Sequence, residues 1–297
     1  MTSDRSWQTV RKLSRRYPSL RTEIPVWSQF GRPLPVVTLG SGRRRVLFSA
    51  SHHANEWITT PVLLKFLEQL AQADEEDGLL AGRAARELLR QVTIVSVPMV
   101  DPDGVDLVTG AIAPETPQYA RAEGLAQSYP DIPFPEGWRA NLNGVDLNLQ
   151  YPAGWLQARN IKYEKGFTGP GPRDFVGAAP LNQRESFFMA GLTRELAPDL
   201  VLALHSQGRV IYWQFENERI PGARELGEKM ARASGYTLAD TPYASSFAGY
   251  KDWFIKAFRR PGYTVELGLG ENPLPLQQFD EIYSDVLGLL VIAAAGG

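Results

Sequence analysis

No cysteine occurs in the 297 residues. That absence removes disulfide frameworks, thiolate nucleophiles and thiolate-ligated metal sites together, so any metal must be held by histidine and carboxylate. An excess of either charge is also missing. The 31 basic residues face 33 acidic ones, a formal net charge of −2, which gives no chain-wide basic field for gripping nucleic acid. Nor is there an apolar run near the roughly 20 residues that span a bilayer. The most apolar stretch, 286–297, is too short, and Met1 to Trp7 shows no apolar signal core. The expectation is a soluble, cytoplasmic chain without a transmembrane segment. No period of 20–50 residues recurs, which excludes solenoids and propellers.

What is present is a globular balance, 43% hydrophobic and 22% charged, read here as one catalytic domain over residues 1–297. Short, nearly all-apolar runs at 46–50, 92–97 and 200–204 have the character of strands buried on both faces, and Tyr263 to Leu267 is similar except for a central carboxylate. Helical patterns lie between them. Thr59 or Thr60 can cap a helix that has Pro61 at its first position. Further helices are expected at 81–89, 182–196, 223–234, 250–258 and 279–292. The alternation predicts an α/β fold, a mixed, mostly parallel twisted sheet with helices on both faces, whose sites form at the carboxyl ends of strands. Two stretches rich in Pro, Gly and aromatics, 110–138 and 151–180, keep no period and are expected to wall a cleft. The basic clusters 11–16 and 43–45 are read as solvated faces.

Only three histidines occur: His52, His53 and His205. His53 and Glu56, three apart just after the 46–50 run, can aim an imidazole and a carboxylate at one point, whereas His52 has only Asn55, a poor zinc ligand, at that spacing. His205 follows the run 200–204 and so emerges from a strand end as well. Two His and one Glu leave a fourth position open, as catalytic zinc sites do. Taken alone, His-x-x-Glu is a weak pattern, equally met by a capping carboxylate beside a surface histidine. Glu266 adds weight: an unpaired charge inside an apolar strand costs several kcal/mol, roughly, so it needs a partner or a task. A carboxylate beside a zinc site can take a proton from water and return it to a leaving amine.

The chain resembles the zinc carboxypeptidases of the carboxypeptidase A type over nearly all its length. The matching fragments come in the family's order: Ser51-His-His-Ala-Asn-Glu-Trp-Ile58, Val100-Asp-Pro-Asp-Gly104, Trp138-Arg139, Gly144-Val-Asp-Leu-Asn148, His205-Ser206, Gly249-Tyr-Lys-Asp-Trp253 and Thr264-Val-Glu-Leu267. The resemblance implies one zinc ion per chain held by His53, Glu56 and His205, with Glu266 as general base and acid. It also implies that Arg139 steadies the oxyanion.

Departures from the pattern matter equally. Family members that trim a C-terminal residue have Arg after the Asn matched by Asn148, and the pair holds the terminal carboxylate; here the position is Leu149. Asn55 stands where such members have another Arg. The tyrosine that covers bound substrate aligns with Ala244, leaving Tyr243 as a neighbouring substitute. Lys251 falls where the family sets specificity, which argues for a substrate group bearing a carboxylate. The bland reading of Lys251 is a solvent-facing residue at a helix start.

One branch looks closer than the rest, the bacterial γ-D-glutamyl-L-diamino acid endopeptidases, on the strength of 55–60, 146–153, 248–254 and Glu271-Asn-Pro-Leu-Pro275. That resemblance implies hydrolysis of the bond between the side-chain carboxyl of D-Glu and a diamino acid such as meso-diaminopimelate in peptidoglycan stem peptides. The alternatives are a metallocarboxypeptidase with its clamp supplied by Arg173 or Arg159, a deacylase of small N-acyl amino acids, and a non-catalytic wall-peptide binding module.

Overall fold

A computed structural model describes residues 1–296 of the chain. The strands are β1 (Leu20–Trp27), β2 (Pro33–Gly40), β3 (Arg44–Ala50), β4 (Leu79–Leu80), β5 (Arg83–Ala84), β6 (Val92–Val97), β7 (Leu200–Ser206), β8 (Val210–Tyr212), β9 (Thr237–Ala239) and β10 (Gly262–Leu267). The helices are α1 (Ser3–Arg16), α2 (Thr59–Glu75), α3 (Ala85–Gln91), α4 (Pro102–Val108), α5 (Pro117–Ala126), α6 (Trp155–Glu164), α7 (Arg184–Leu196), α8 (Ala223–Ser234), α9 (Tyr250–Phe258) and α10 (Phe279–Ala295). Eight strands form one sheet in the order β1-β2-β6-β3-β7-β10-β8-β9, while β4 and β5 make a separate hairpin. The four central strands, β6, β3, β7 and β10, run parallel.

Those four are the apolar runs legible in the sequence, and the reason is burial on both faces. Val46, Phe48, Leu202, Leu204 and Val265 pack with Phe66 of α2, Met230 of α8 and Leu289 of α10. Leu47, Val201 and Ala203 pack on the other face with Met189 of α7 and Phe254 of α9. Successive side chains along a strand change faces. His205 therefore shares the α7/α9 face with Val201 and Ala203, and Glu266 lies on that same face, alternating with Val265. The parallel register makes Glu266 and His205 direct neighbours on adjacent strands. No helix among the described residues is long and apolar enough to cross a membrane.

Several local expectations need correction. Thr59 and Thr60 do not cap α2. They lie inside its first turn, and the position before the helix is Ile58, already helical and continuous with a short turn at Ala54–Glu56. Their hydroxyls work elsewhere: both lie within hydrogen-bond reach of the Ser51 hydroxyl, the Thr59 oxygen accepts the Ser51 N–H at 2.9 Å, and the Thr60 hydroxyl donates to the Pro98 carbonyl. Ser51 has φ of 49°, a left-handed turn that re-aims the chain as it leaves β3 toward the two histidines. The segment expected to be helical from residue 81 begins instead as the β4–β5 hairpin, turned at Ala81 and Gly82, and α3 starts at Ala85. The helix expected from 182 starts at Arg184, and the one expected to end at 292 runs on to Ala295. Both stretches without a period carry a short helix, α5 and α6.

Candidate metal centre

His53, Glu56 and His205 are buried and offer ligand atoms that all lie within 4.8 Å of one another. His53 Nδ1 is 2.9 Å from Glu56 Oε1, His205 Nδ1 is 2.8 Å from Glu56 Oε2, and the two Nδ1 atoms are 3.1 Å apart. A tetrahedral zinc ion with bonds of about 2.0–2.1 Å spaces its ligands by about 3.3–3.4 Å. The three groups stand slightly inside that spacing, all turned to one point. Two imidazole nitrogens converging on each other and on one carboxylate form a donor set that a divalent cation would satisfy, and the composition His, His, Glu suits zinc. No other cluster of this kind occurs among the described residues.

The electrostatics fit the same conclusion. Burial opposes the charge of Glu56, but His53, Arg139 and His205 outweigh it and hold the carboxyl well below its ordinary value. Burial also works against protonation of His53, yet Glu56 and Asp146 raise its pKa. Burial dominates at His205 and lowers it. The raised His53 pKa marks a proton that a cation entering here would compete with, while taking over the charge balance of the carboxylate.

Asp146, which lies in the Gly144–Asn148 fragment but was given no role from sequence, organises the surroundings. Its Oδ1 is 3.1 Å from His53 Nε2 and accepts the Asn148 N–H at 3.0 Å, and its Oδ2 is 3.5 Å from Arg139 Nε. It therefore fixes the ring whose other nitrogen faces the donor cluster. Asp146→Asn should weaken zinc binding by about 10–100-fold with the fold intact, as loss of the carboxylate behind a metal-bound histidine does. Competition against a chromogenic chelator measures it. A second unforeseen residue is Asn272, whose amide donates to the Ser206 carbonyl at 2.7 Å and accepts the Ser206 hydroxyl at 2.8 Å. The Ser206 N–H in turn reaches Glu56 Oε2 at 3.2 Å.

His53, His205, Asp146, Ser206 and Asn272 line a cleft of about 1030 Å³. Its walls include Asp131, Ile132 and Glu136 from the first period-free stretch and Lys162, Phe167, Arg173 and Asp174 from the second, as expected of those segments. Arg139 lines it with Nη1 3.0 Å from Glu56 Oε1. Burial disfavours its charge, but Glu56 and Asp146 more than offset this and raise its pKa. Glu266 lines the cleft too, and burial first, then the Glu56 charge, push its carboxyl up to about 8. Asn148 lines the wall while its Oδ1 accepts the Tyr250 N–H that opens α9.

The sequence profile described as zinc carboxypeptidase matches residues 7–287. The chain belongs to that family. The chain is 43% identical over 282 residues to γ-D-glutamyl-L-diamino acid endopeptidase 1 of Lysinibacillus sphaericus, an alignment spanning 95% of this chain and 69% of that protein. Its fold is that of bovine thrombin-activatable fibrinolysis inhibitor, at TM-score 0.76 and 17% identity over 100% of this chain and 96% of that one. It is also that of murein-tripeptide amidase MpaA from Escherichia coli O157, at TM-score 0.56 and 21% identity over 91% of each chain. The family resemblance read from the ordered fragments is thus borne out, and the chain is a zinc metallopeptidase.

The departures from the family pattern have definite places in this chain. Leu149 lines the cleft but is buried in the apolar cluster on the α7/α9 face. Asn55 lines it as well, buried, with its Oδ1 unpaired. Lys251 does not face solvent: it is buried at the cleft, where its ammonium pairs with Asp252 and donates to the Gln214 carbonyl at 2.7 Å. Its charge is therefore balanced within the protein, unlike the uncommitted cation that charge complementarity called for. Tyr243 is 71% exposed, its ring edge-on to Phe247, and the cleft wall runs through Pro242 and Ser245 beside it.

Proposed function

We propose that this zinc peptidase hydrolyses the amide between the γ-carboxyl of D-glutamate and the α-amino group of a diamino acid in peptidoglycan stem peptides. The observation that carries the proposal is the 43% identity to the Lysinibacillus sphaericus endopeptidase along 95% of the chain. The cleft supports it. Family members that trim C-terminal residues place an Arg directly after the Asn matched by Asn148, and the apolar side chain of Leu149 cannot take that part in holding a carboxylate.

In this reading His53, Glu56 and His205 hold the zinc. When bound, it supplies Lewis-acid polarisation of the scissile carbonyl and of the attacking water. Glu266 accepts a proton from that water as the new C–O bond forms, and passes it to the diamino acid nitrogen as the C–N bond breaks. The products are a free γ-carboxyl and a free amine. A carboxyl that lines the cleft beside the metal ligands is placed to move a proton both ways. Arg139 contributes a guanidinium to the charge growing on the carbonyl oxygen. Product analysis on L-Ala-γ-D-Glu-meso-diaminopimelate tests the proposal. Release of L-Ala-D-Glu and free diaminopimelate, abolished by a chelator and restored by zinc, is the expected result. Faster cleavage of blocked α-linked dipeptides would overturn it.

A further inference from the structure

Five cations line the cleft: Arg139, Lys162, Lys165, Arg173 and Lys251. Three are committed to protein partners, Arg139 to Glu56 and Asp146, Lys162 to Asp174, and Lys251 to Asp252. Lys165 is an exposed, unbraced side chain at the end of α6. Arg173 differs from all of these. Only its Nε is engaged, at 2.7 Å from Asp174 Oδ2, and its side chain is 42% exposed. Asp174 already neutralises the nearly buried Lys162, so one carboxylate faces two cations and the group carries a surplus positive charge. Although burial and Asp146 push the Asp174 pKa up, Lys162 and Arg173 hold it below the usual range, so the carboxylate stays ionised and the brace stays in place.

The backbone ties this guanidinium to the centre. The Pro172 carbonyl accepts the N–H groups of Arg139 and Ala140, at 2.7 and 2.8 Å, and the Phe175 carbonyl accepts that of Asp146 at 2.9 Å. Arg173 and Asp174 are thus held on a two-residue span whose flanks are hydrogen-bonded to the main chain of Arg139 and Asp146. Asp174 itself has φ of 64°, a left-handed conformation tolerated by Asp but costly enough to need support from its surroundings. The consequence is a guanidinium fixed through Nε, with both terminal nitrogens left for an incoming group. Two parallel N–H donors on a planar cation match a carboxylate, and prior fixing lowers the entropy lost on binding.

We infer that Arg173 is a specificity-determining residue that binds a free carboxylate of the substrate through its two terminal nitrogens. The inference rests on the endopeptidase reading above, whose stem-peptide substrate offers two sources: the α-carboxylate of the D-glutamyl residue and the carboxylates of the diamino acid. Steady-state kinetics of wild type, Arg173→Gln and Arg173→Lys on L-Ala-γ-D-Glu-meso-diaminopimelate test it, alongside the same peptide amidated at the D-glutamyl carboxyl or at the diaminopimelate carboxyls. Arg173→Gln should raise KM about 10–100-fold, the scale of a charge-assisted hydrogen-bonded pair, with kcat changed less than threefold or so. Arg173→Lys, which keeps the charge and can still pair with Asp174, should fall between. One amidated peptide should raise the wild-type KM by a similar factor and erase the difference between wild type and Arg173→Gln, which identifies the source. An equal penalty on both amidated peptides, a loss confined to kcat, or no change in KM for a variant that melts like wild type would overturn the inference. Wild-type turnover of the unamidated peptide separates the two readings. Without it the endopeptidase reading fails and this one with it, whereas turnover with an indifferent Arg173→Gln sinks this one alone.

Discussion

Glu266→Gln is expected to lower kcat by about 10²–10⁴-fold, the range for losing a general acid–base, with zinc content unchanged. Glutamine keeps the shape and removes only the capacity to carry a proton. Kinetics set against metal analysis of the same preparation check this, and retained turnover in a zinc-replete variant would reject the assignment. A pH signature accompanies it. In the metal-free protein, burial and Glu56 push the Glu266 carboxyl up to about 8. A divalent cation beside it favours the ionised form, so below that pH zinc binding must release a proton from Glu266, and apparent affinity rises with pH and levels off above it. His53, whose pKa is also raised, adds a proton release of its own. The slope of log affinity against pH should therefore become shallower in Glu266→Gln without becoming flat. In the zinc-loaded enzyme the acid limb of kcat/KM should lie below pH 8, because the cation lowers the carboxyl from its metal-free position.

His205→Ala should abolish activity and metal retention together, since two remaining ligands cannot hold a catalytic zinc, and chelation of the wild type should do the same reversibly. The fold should survive both. Without the ion, Glu56 is still met by His53, by Arg139 and by the Ser206 N–H, and the core around it is continuous on both faces of the sheet. What is lost is the stabilisation that binding confers. At a free zinc concentration 1,000 times the Kd this is about 4 kcal/mol, or about 5–10 °C in Tm for a chain of this size. Calorimetry with and without chelator measures it. A Tm indifferent to zinc would mean that these three side chains do not form the site.

The metal triad and Glu266 were legible because each sits in or beside an apolar run that only a buried strand explains, and a His or Glu in that context demands a reason. The outer strands were not legible. In β1 every second residue from Thr22 onward is only half-buried, and β2 carries Pro33 and Pro35, residues that argue against a central strand when read one at a time. Asp146 and Asn272 lie within family-like fragments, yet their roles were not legible, for a different reason. Their work depends on partners 93 and 66 positions away, His53 and Ser206, and nothing local marks an Asp or Asn that will meet such a partner. Lys251 was placed correctly along the chain but not in its charge, because its counter-ion is the adjacent Asp252, whose carboxylate could as well have faced solvent. The surplus charge at Arg173 was equally hidden, being a property of two cations, Lys162 and Arg173, that share the carboxylate of Asp174.

Pairing of Glu266 with His205 across neighbouring parallel strands makes the chemistry hostage to a hydrogen-bond ladder. Deleting one residue from β10 upstream of Glu266 would keep the strand hydrophobic enough to pair, yet turn the carboxylate to the α2/α10 side. Such a protein could remain folded and metal-loaded while being inert, whereas the loops that carry Arg173 and Asn272 stand outside that ladder. Engineering of new substrate preferences therefore has its freedom in the loops and almost none in the strands.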